Sequence, residues 1–519
     1  MSRGITCVAL LAGALLAFAA PASAASKNVK LMDNLPEAKY ATAINFMQYA
    51  NGPDVMLVTG RFGLKSYSLS DPAHPRLLDA ITAEDLRLPG DPAVNFDESK
   101  GPLSTFWQNE DMDVDQQRHL ALISRDPRSY LGSTSRDPGS PDPNGATNIA
   151  GVYVVDARNP SDLRLLSFKQ LPTGHTTTCI NNCRWLWTGG PAATTTQRGA
   201  PQNWTFGRPI IVTDLRDPRH PRGYPMDPVD LFRRDGVTAY SHDVQVDDMG
   251  IAWVSGDGGT RGYWTDGRHF DPIQGKSRVA TPLDPIPYGG GGLPAAITND
   301  TTGGFEHNAW RPVGRNAPQG DPRYRQGELL LATEEDFGPA AEGCSKQGMF
   351  SISSLKDSFN GEAWRSTAAK PFRLTTVGTW YPGGKEGSRD PAGPFDPAAD
   401  FCSAHYFDVD GAVVSYAWYG EGTRFLDISD PANPQQFAYW RPDDTLVWAS
   451  YLHNGYVYTA DHVRGVDVLK FEPGAASARA NRVAVEAPPS SARHQAFLAR
   501  EASQLRADPA TGGICYLAV

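Results

Sequence analysis

The chain has 519 residues and a formal net charge of −10, from 48 Lys and Arg against 58 Asp and Glu. A mildly acidic chain without a long basic run is not built to hold nucleic acid. The length would ordinarily mean two to four domains, unless one domain grows by repetition about an axis.

The N-terminus reads MSRGITCVALLAGALLAFAAPASAASK. Arg3 supplies the positive start, residues 5–20 the apolar core, and residues 22–24 a small-residue cleavage signal. Residues 1–24 are therefore expected to be an export leader. An uncleaved anchor is the alternative, but the apolar core is short for one. No second long apolar run follows, so the mature chain, periplasmic or secreted, is expected to have no membrane span. The next segment, SKNVKLMDNLP, has the composition of a strand with no partner nearby.

A repeat then dominates residues 25–474. It is clearest at 401–440, FCSAHYFDVDGAVVSYAWYGEGTRFLDISDPANPQQFAYW. HYFDVDG, AVVSYAW, TRFLDIS and QQFAYW read as four short antiparallel strands. Gly turns and an Asp-Pro turn separate them, because Pro fixes φ and Asp bonds its own backbone. Four such strands in about 40 residues make one propeller blade. The third strand and its turn recur as SYSLSDPAHP (66–75), YVVDARNP (153–160), IVTDLRDPRHP (211–221) and FLDISDPANP (425–434). RGYWTDG (261–267), GMFSISSL (348–355) and RGVDVLKFEPG (464–474) are divergent copies. Seven copies predict an all-β, seven-bladed propeller. Blade 7 lacks a fourth strand of its own, so residues 28–34 are expected to complete it and close the ring. Residues 475–519 read as a polar tail with a short helix.

With these Asp-x-x-Asp/Asn-Pro turns the chain resembles the LVIVD-repeat β-propeller family over roughly residues 27–474. The resemblance implies a fold and, because that family's functions are diverse, no particular chemistry.

Four long insertions, at roughly 126–149, 189–207, 266–304 and 381–400, are rich in Gly, Pro, Asp and Ser. YGGGGLP (288–294) reads as a flexible loop, since no helix or Lys-Ser/Thr follows to make a phosphate site. Five cysteines lie beyond the leader. In an oxidising compartment Cys179 and Cys183 could bridge across INN. Cys344 and Cys402 fall on the same face of adjacent blades and are expected to pair, leaving Cys515. A zinc site would need a second close pair.

The start of each blade carries the chemistry. Glu110 opens EDMDVD, His175 HTTTCI, His242 HDVQVD, His307 HNAWRP and His405 HYFDVD. The first strand of a blade runs beside the axis, so these five residues should meet at one end, the top. Neutral imidazoles there suit iron, copper, zinc or nickel, with iron or copper expected and Glu110 as a further ligand. A four-histidine axial centre on seven blades is also the arrangement of carotenoid-cleavage oxygenases, a likeness of architecture only. Alternatively each His bonds a neighbouring strand and was copied with the repeat. Glu334 and Glu335 follow the apolar strand ELLLA at the same end and are candidate catalytic acids or partners of a ligating imidazole. Arg61, Arg261, Arg424, Arg464 and His462 are further top-face candidates, for an anionic substrate or for pairing with the acids. Three functions follow. The first is an exported metal-dependent enzyme acting on a small molecule. The second is a non-catalytic binding propeller for a protein, glycan or envelope partner. The third is a metal-free hydrolase or lyase using the acid cluster.

Overall fold

The computed structural model describes residues 24–91, 109–126, 149–190, 210–224, 241–256, 259–294, 306–335, 349–360, 372–382, 404–475 and 491–507, apart from 273, 315 and 316 and from the side chains of 289–294, 359, 360, 499 and 501–507, with a few short pieces between. Seven antiparallel blades follow one another around an axis, each of four strands. The inner strands are Ala41–Met47, Met112–Asp115, Thr176–Ile180, Ser241–Val246, Glu306–Trp310, Phe407–Asp410 and Val447–His453. Second strands such as Val55–Gly60 (VMLVTG) and Leu120–Arg125 (LALISR) are buried at every position. They are apolar on both faces because each blade is packed between two others. Outer strands such as Arg76–Thr82 are exposed or half-buried at all but one position.

The repeated turn holds itself in shape. Asp156, Asp214 and Asp427 accept from the amides of Arg158, Arg216 and Ser429. Asp71, Asn159, Asp217 and Asp430 do the same for the residue two further on. Two side-chain-capped turns in series explain why the Asp spacing recurs.

Closure follows the expected route. Val29–Leu35 pairs antiparallel with Gly465–Phe471 and becomes the outer strand of blade 7. Ala24–Lys27 goes further and adds a fifth strand to blade 6, on Gln435–Pro442. The inner strands are tied around the axis by side chains. Asn45 donates to the Met112 carbonyl, Asp113 accepts from the Cys179 amide, and Thr178 donates to the Val244 carbonyl. Asp408 accepts from the Leu452 amide, and the Tyr451 phenol meets the Ile44 amide. Each tie reaches the next blade and satisfies an edge group that would otherwise be unpaired.

Two expectations need correction. YGGGGLP is not a free loop: Ile286–Pro294 is the outer strand of blade 4, pairing Gly291 and Gly292 with Arg261 and Thr260. Ladder bonds need only backbone, so a glycine run can serve on an outermost strand despite its poor propensity. The supposed insertion at 266–304 also contains a hairpin, Arg268–Asp271 with Lys276–Val279. Cys179 and Cys183 form a disulfide with their Cα atoms 4.4 Å apart. Cys344, Cys402 and Cys515 lie outside the described residues.

The helix Ala492–Ala507 docks against blades 6 and 7. Ser491 caps it through the His494 amide and donates to Asp443. Both ring nitrogens of His494 meet carbonyl oxygens, of Asp443 at 2.9 Å and Gly420 at 2.6 Å. Phe497 and Leu498 join the core cluster that contains Tyr406, Tyr419 and Trp448.

Candidate metal centre

Register explains why the top of the ring gathers side chains. In four blades the inner strand carries one extra residue there, between 41 and 43, 241 and 243, 306 and 308, and 447 and 449. A bulge residue is unpaired and its side chain is re-aimed. The four bulge residues are Thr42, His242, His307 and Trp448. Glu110, His175 and His405 hold the same place just ahead of their strands. One slot in seven blades thus reads Thr, Glu, His, His, His, His, Trp.

The four histidines and Glu110 are fully buried. Neighbouring rings lie 4.9 Å apart for His175 and His242, 4.2 Å for His242 and His307, and 3.9 Å for His307 and His405. Their Nε2 atoms converge. His175 Nε2 is 3.1 Å from His242 Nε2. Glu110 Oε1 is 2.9 Å from His405 Nε2 and 3.5 Å from His307 Nε2, while Oε2 is 4.0 Å from His175 Nε2. The Trp448 indole donates to Glu110 Oε1 at 3.3 Å.

The outward nitrogens set the tautomers. His175 Nδ1 faces Asp126 Oδ2 at 2.7 Å, His242 Nδ1 the His307 carbonyl at 2.9 Å, and His405 Nδ1 the Trp448 carbonyl at 2.5 Å. Ionised carboxylate and carbonyl oxygens only accept, so each Nδ1 carries the proton. In the neutral imidazole Nε2 is then a lone pair. The His175 and His242 lone pairs point at each other, and that of His405 points at a carboxylate oxygen. A metal ion could be held between these donors. Without an ion, the same contacts need two protons instead, one shared by His175 and His242 and one on His405 or Glu110.

Burial, with His307 and His175 alongside, holds His242 well below the usual histidine range. Burial and the neighbouring His405 push His307 down to about 3. For Glu110, burial works to raise the carboxyl, but His405, His307 and His175 outweigh it and hold it well below the carboxylate norm. His242 and His307 are thus held neutral beside an ionised carboxylate, the forms in which these groups can ligate a divalent ion. The fit is good in distance too. Adjacent donors around an ion with bonds of about 2.0–2.1 Å lie roughly 2.9–3.4 Å apart, close to the 3.1 and 2.9 Å separations here.

A second ring lies one residue past each second strand. It reads Arg61, Asp126, Gly190, Glu335, Tyr419 and His462 in the six blades described there. These residues support the first slot. Asp126 orients His175. Gly190 is obligatory beside that histidine, since a Cβ would fall 2.0 Å from the His175 Cβ. Glu335 Oε2 lies 4.0 Å from His307 Nε2, and the Tyr419 hydroxyl donates to Glu335 Oε1 at 2.5 Å. His462 stacks on Trp448 with ring centroids 4.1 Å apart.

The register also separates the two candidate acids. Glu335 belongs to the second ring and reaches the inward nitrogen of His307. Glu334 is still in the strand, paired opposite Glu306 and away from that ring. Burial, with Glu334 alongside, pushes Glu306 well above the carboxylate norm. The arginines are mostly committed elsewhere. Arg424 pairs with Glu421 at 2.6 Å, Arg464 with Asp467 and Asp444, and Arg61 lies over the Tyr40 ring at 4.4 Å. Arg261 is buried. Asp126, Tyr419 and Trp448 were not singled out from the sequence. Aligning the residue after each second strand would have found the first two.

No family model matches the chain, and no curated protein does. Solved structures that share its broad shape do so faintly. A provisionally assigned 6-phosphogluconolactonase from Bacteroides fragilis is 8% identical over 82% of this chain and 89% of its own, with a TM-score of 0.40. A periplasmic gluconolactonase from Pseudomonas aeruginosa is 10% identical over 78% and 86%, also at 0.40. The extracellular domain of a provisionally assigned hybrid two-component system from B. thetaiotaomicron is 10% identical over 84% of this chain and 39% of that one, at 0.41. Scores this low carry no argument about chemistry. The propeller rests on the chain's own strand pairing.

Proposed function

We propose that the axial cluster is a metal centre, and that the chain is an exported, metal-dependent enzyme acting on a small molecule that enters from the top. The facing Nε2 lone pairs of His175 and His242, 3.1 Å apart, carry this reading. His175, His242, His307, His405 and Glu110 would hold the ion, iron or copper by donor type. The ion supplies Lewis acidity or redox chemistry. Asp126 fixes the tautomer of His175, and Glu335, held by Tyr419, stands where it can ligate or take a proton. Glu334 and Glu306 are a separate buried carboxyl pair and are not assigned to the ion. Export is supported by the leader-like residues 1–24 and the Cys179–Cys183 bridge. Membership of the LVIVD-repeat family rests on the repeated turns alone.

The test is metal analysis of protein isolated from its own compartment, beside a His242→Ala variant. The wild type should carry a transition metal. The variant should lose most of it and keep its circular dichroism. A metal-free wild type, with a variant that only loses stability, would return these histidines to a structural role and the chain to a binding propeller.

A further inference from the structure

The donors do not gather around a single point. Those mutually within 4.8 Å form two triads, Glu110 with His175 and His242, and Glu110 with His307 and His405. Each is a two-histidine, one-carboxylate set, which leaves open positions on a bound ion. The two triads share only Glu110, and its oxygens divide between them. Oε1 faces His405 and His307, while Oε2 faces His175. A carboxylate presenting one oxygen to each of two histidine pairs has the disposition of a bridge. A third triad, His242, His307 and Glu335, spans the seam between the halves. It brings a second carboxylate whose far oxygen is held by Tyr419.

One ion bound by all four imidazoles would need every Nε2 within about 4.2 Å of the others, twice a bond of about 2.1 Å. Among the described residues no group within that distance contains all four imidazoles, and four imidazoles with the two oxygens of Glu110 provide three donors for each of two ions. We propose that the centre is binuclear: one divalent first-row metal ion held by His175 and His242, a second by His307 and His405, with Glu110 bridging them and Glu335 at the seam. The proposal rests on the metal reading above and deepens it. Two ions about 3.5–4 Å apart clamp two oxygen atoms of one substrate, so the ligand class is a small molecule presenting paired oxygens.

The experiment is metal stoichiometry. Chelator-stripped protein, shown to be folded, is refilled with Co²⁺ and dialysed to equilibrium. The wild type should bind two ions per chain and a His175→Ala/His242→Ala double variant one. Loaded with Cu²⁺, the wild type should give a spin-coupled resonance and the double variant an isolated one. Glu110→Gln, which keeps the side chain's size, provides the same test if the double variant fails to fold: the coupling should vanish. One ion per chain in the wild type, abolished by substitution in either pair, would overturn the binuclear centre and leave a mononuclear one standing. Two ions that persist in every variant would be surface binding and would overturn the proposal. No bound ion at all would overturn this proposal and the metal reading together.

Discussion

Asp126 accepts the Nδ1 proton of His175 across 2.7 Å, with both side chains fully buried. The pair orients the imidazole and fixes its tautomer, with Nε2 turned inward. Outer partners of this kind commonly contribute 10–100-fold to metal affinity. Asp126→Ala should weaken metal binding by about that factor in a chelator competition, with Asp126→Asn closer to wild type. A change confined to melting temperature would mark the pair as structural only.

Ring closure depends on a glycine. Gly465 has φ +90°, and a Cβ there would fall 2.1 Å from the Leu35 carbonyl oxygen. Gly465→Ala must displace the closing strand as well as strain its own backbone. The expected cost is above about 3 kcal/mol. Gly455 has φ +78° with nothing within 4 Å, so Gly455→Ala should cost only about 1 kcal/mol. Equal losses in denaturant melts would mean that strand Val29–Leu35 does not close the ring as described.

Burial pushes Asp408 up to about 6 from an ordinary value of 3.8. Its folded-state pKa is the higher one, so between about pH 4 and 6 the native chain holds a proton that the unfolded chain has lost. Stability from this group is full at low pH and declines as pH rises through that window. Asp408 borders the axis and is only partly shielded, so the loss should be about 1–2 kcal/mol. Asp408→Asn keeps an acceptor for the Leu452 amide and should flatten this part of the stability profile. An unchanged profile would place the titration elsewhere.

The C-terminal helix covers part of the top. At Gly420 a Cβ would lie 2.7 Å from Leu498, and the Gly420 carbonyl meets His494. Tyr419, next in sequence, holds Glu335. Leu498→Asp should release the helix, shown by faster proteolysis after residue 475, with little change in the propeller's own melting. Metal should then leave to a chelator several-fold faster. An unaltered exit rate would show that the helix does not guard the centre.

Much of this was legible before the coordinates. The Asp/Asn-Pro turns marked four blades because each Asp or Asn closes a turn by itself, a local property, and three divergent copies of the same strand completed the count. The histidine slot was legible because the repeat copies its position. What failed were features without a local signature. The glycine run at 288–294 contradicts strand propensity, and only pairing with residues 260 and 261 makes it a strand. Glu334 and Glu335 were indistinguishable until the bulge at His307 set the register. Asp126 stood at the start of what read as an insertion, and its partner is 49 residues away. The division of the donors into two triads depends on ångström-scale ring placement, which no sequence pattern encodes.

The closing strand also fixes an order of events. Asn34 leaves the ribosome long before Asp467, the residue that receives its side-chain hydrogen bond 433 positions later. At roughly 5–20 residues per second, that interval is about 20–90 s. Until it ends, strand Val29–Leu35 has no blade 7 edge to join. Ring closure is therefore the last pairing that this chain can complete. A chain truncated before Val466 should never latch, however well its earlier blades have formed.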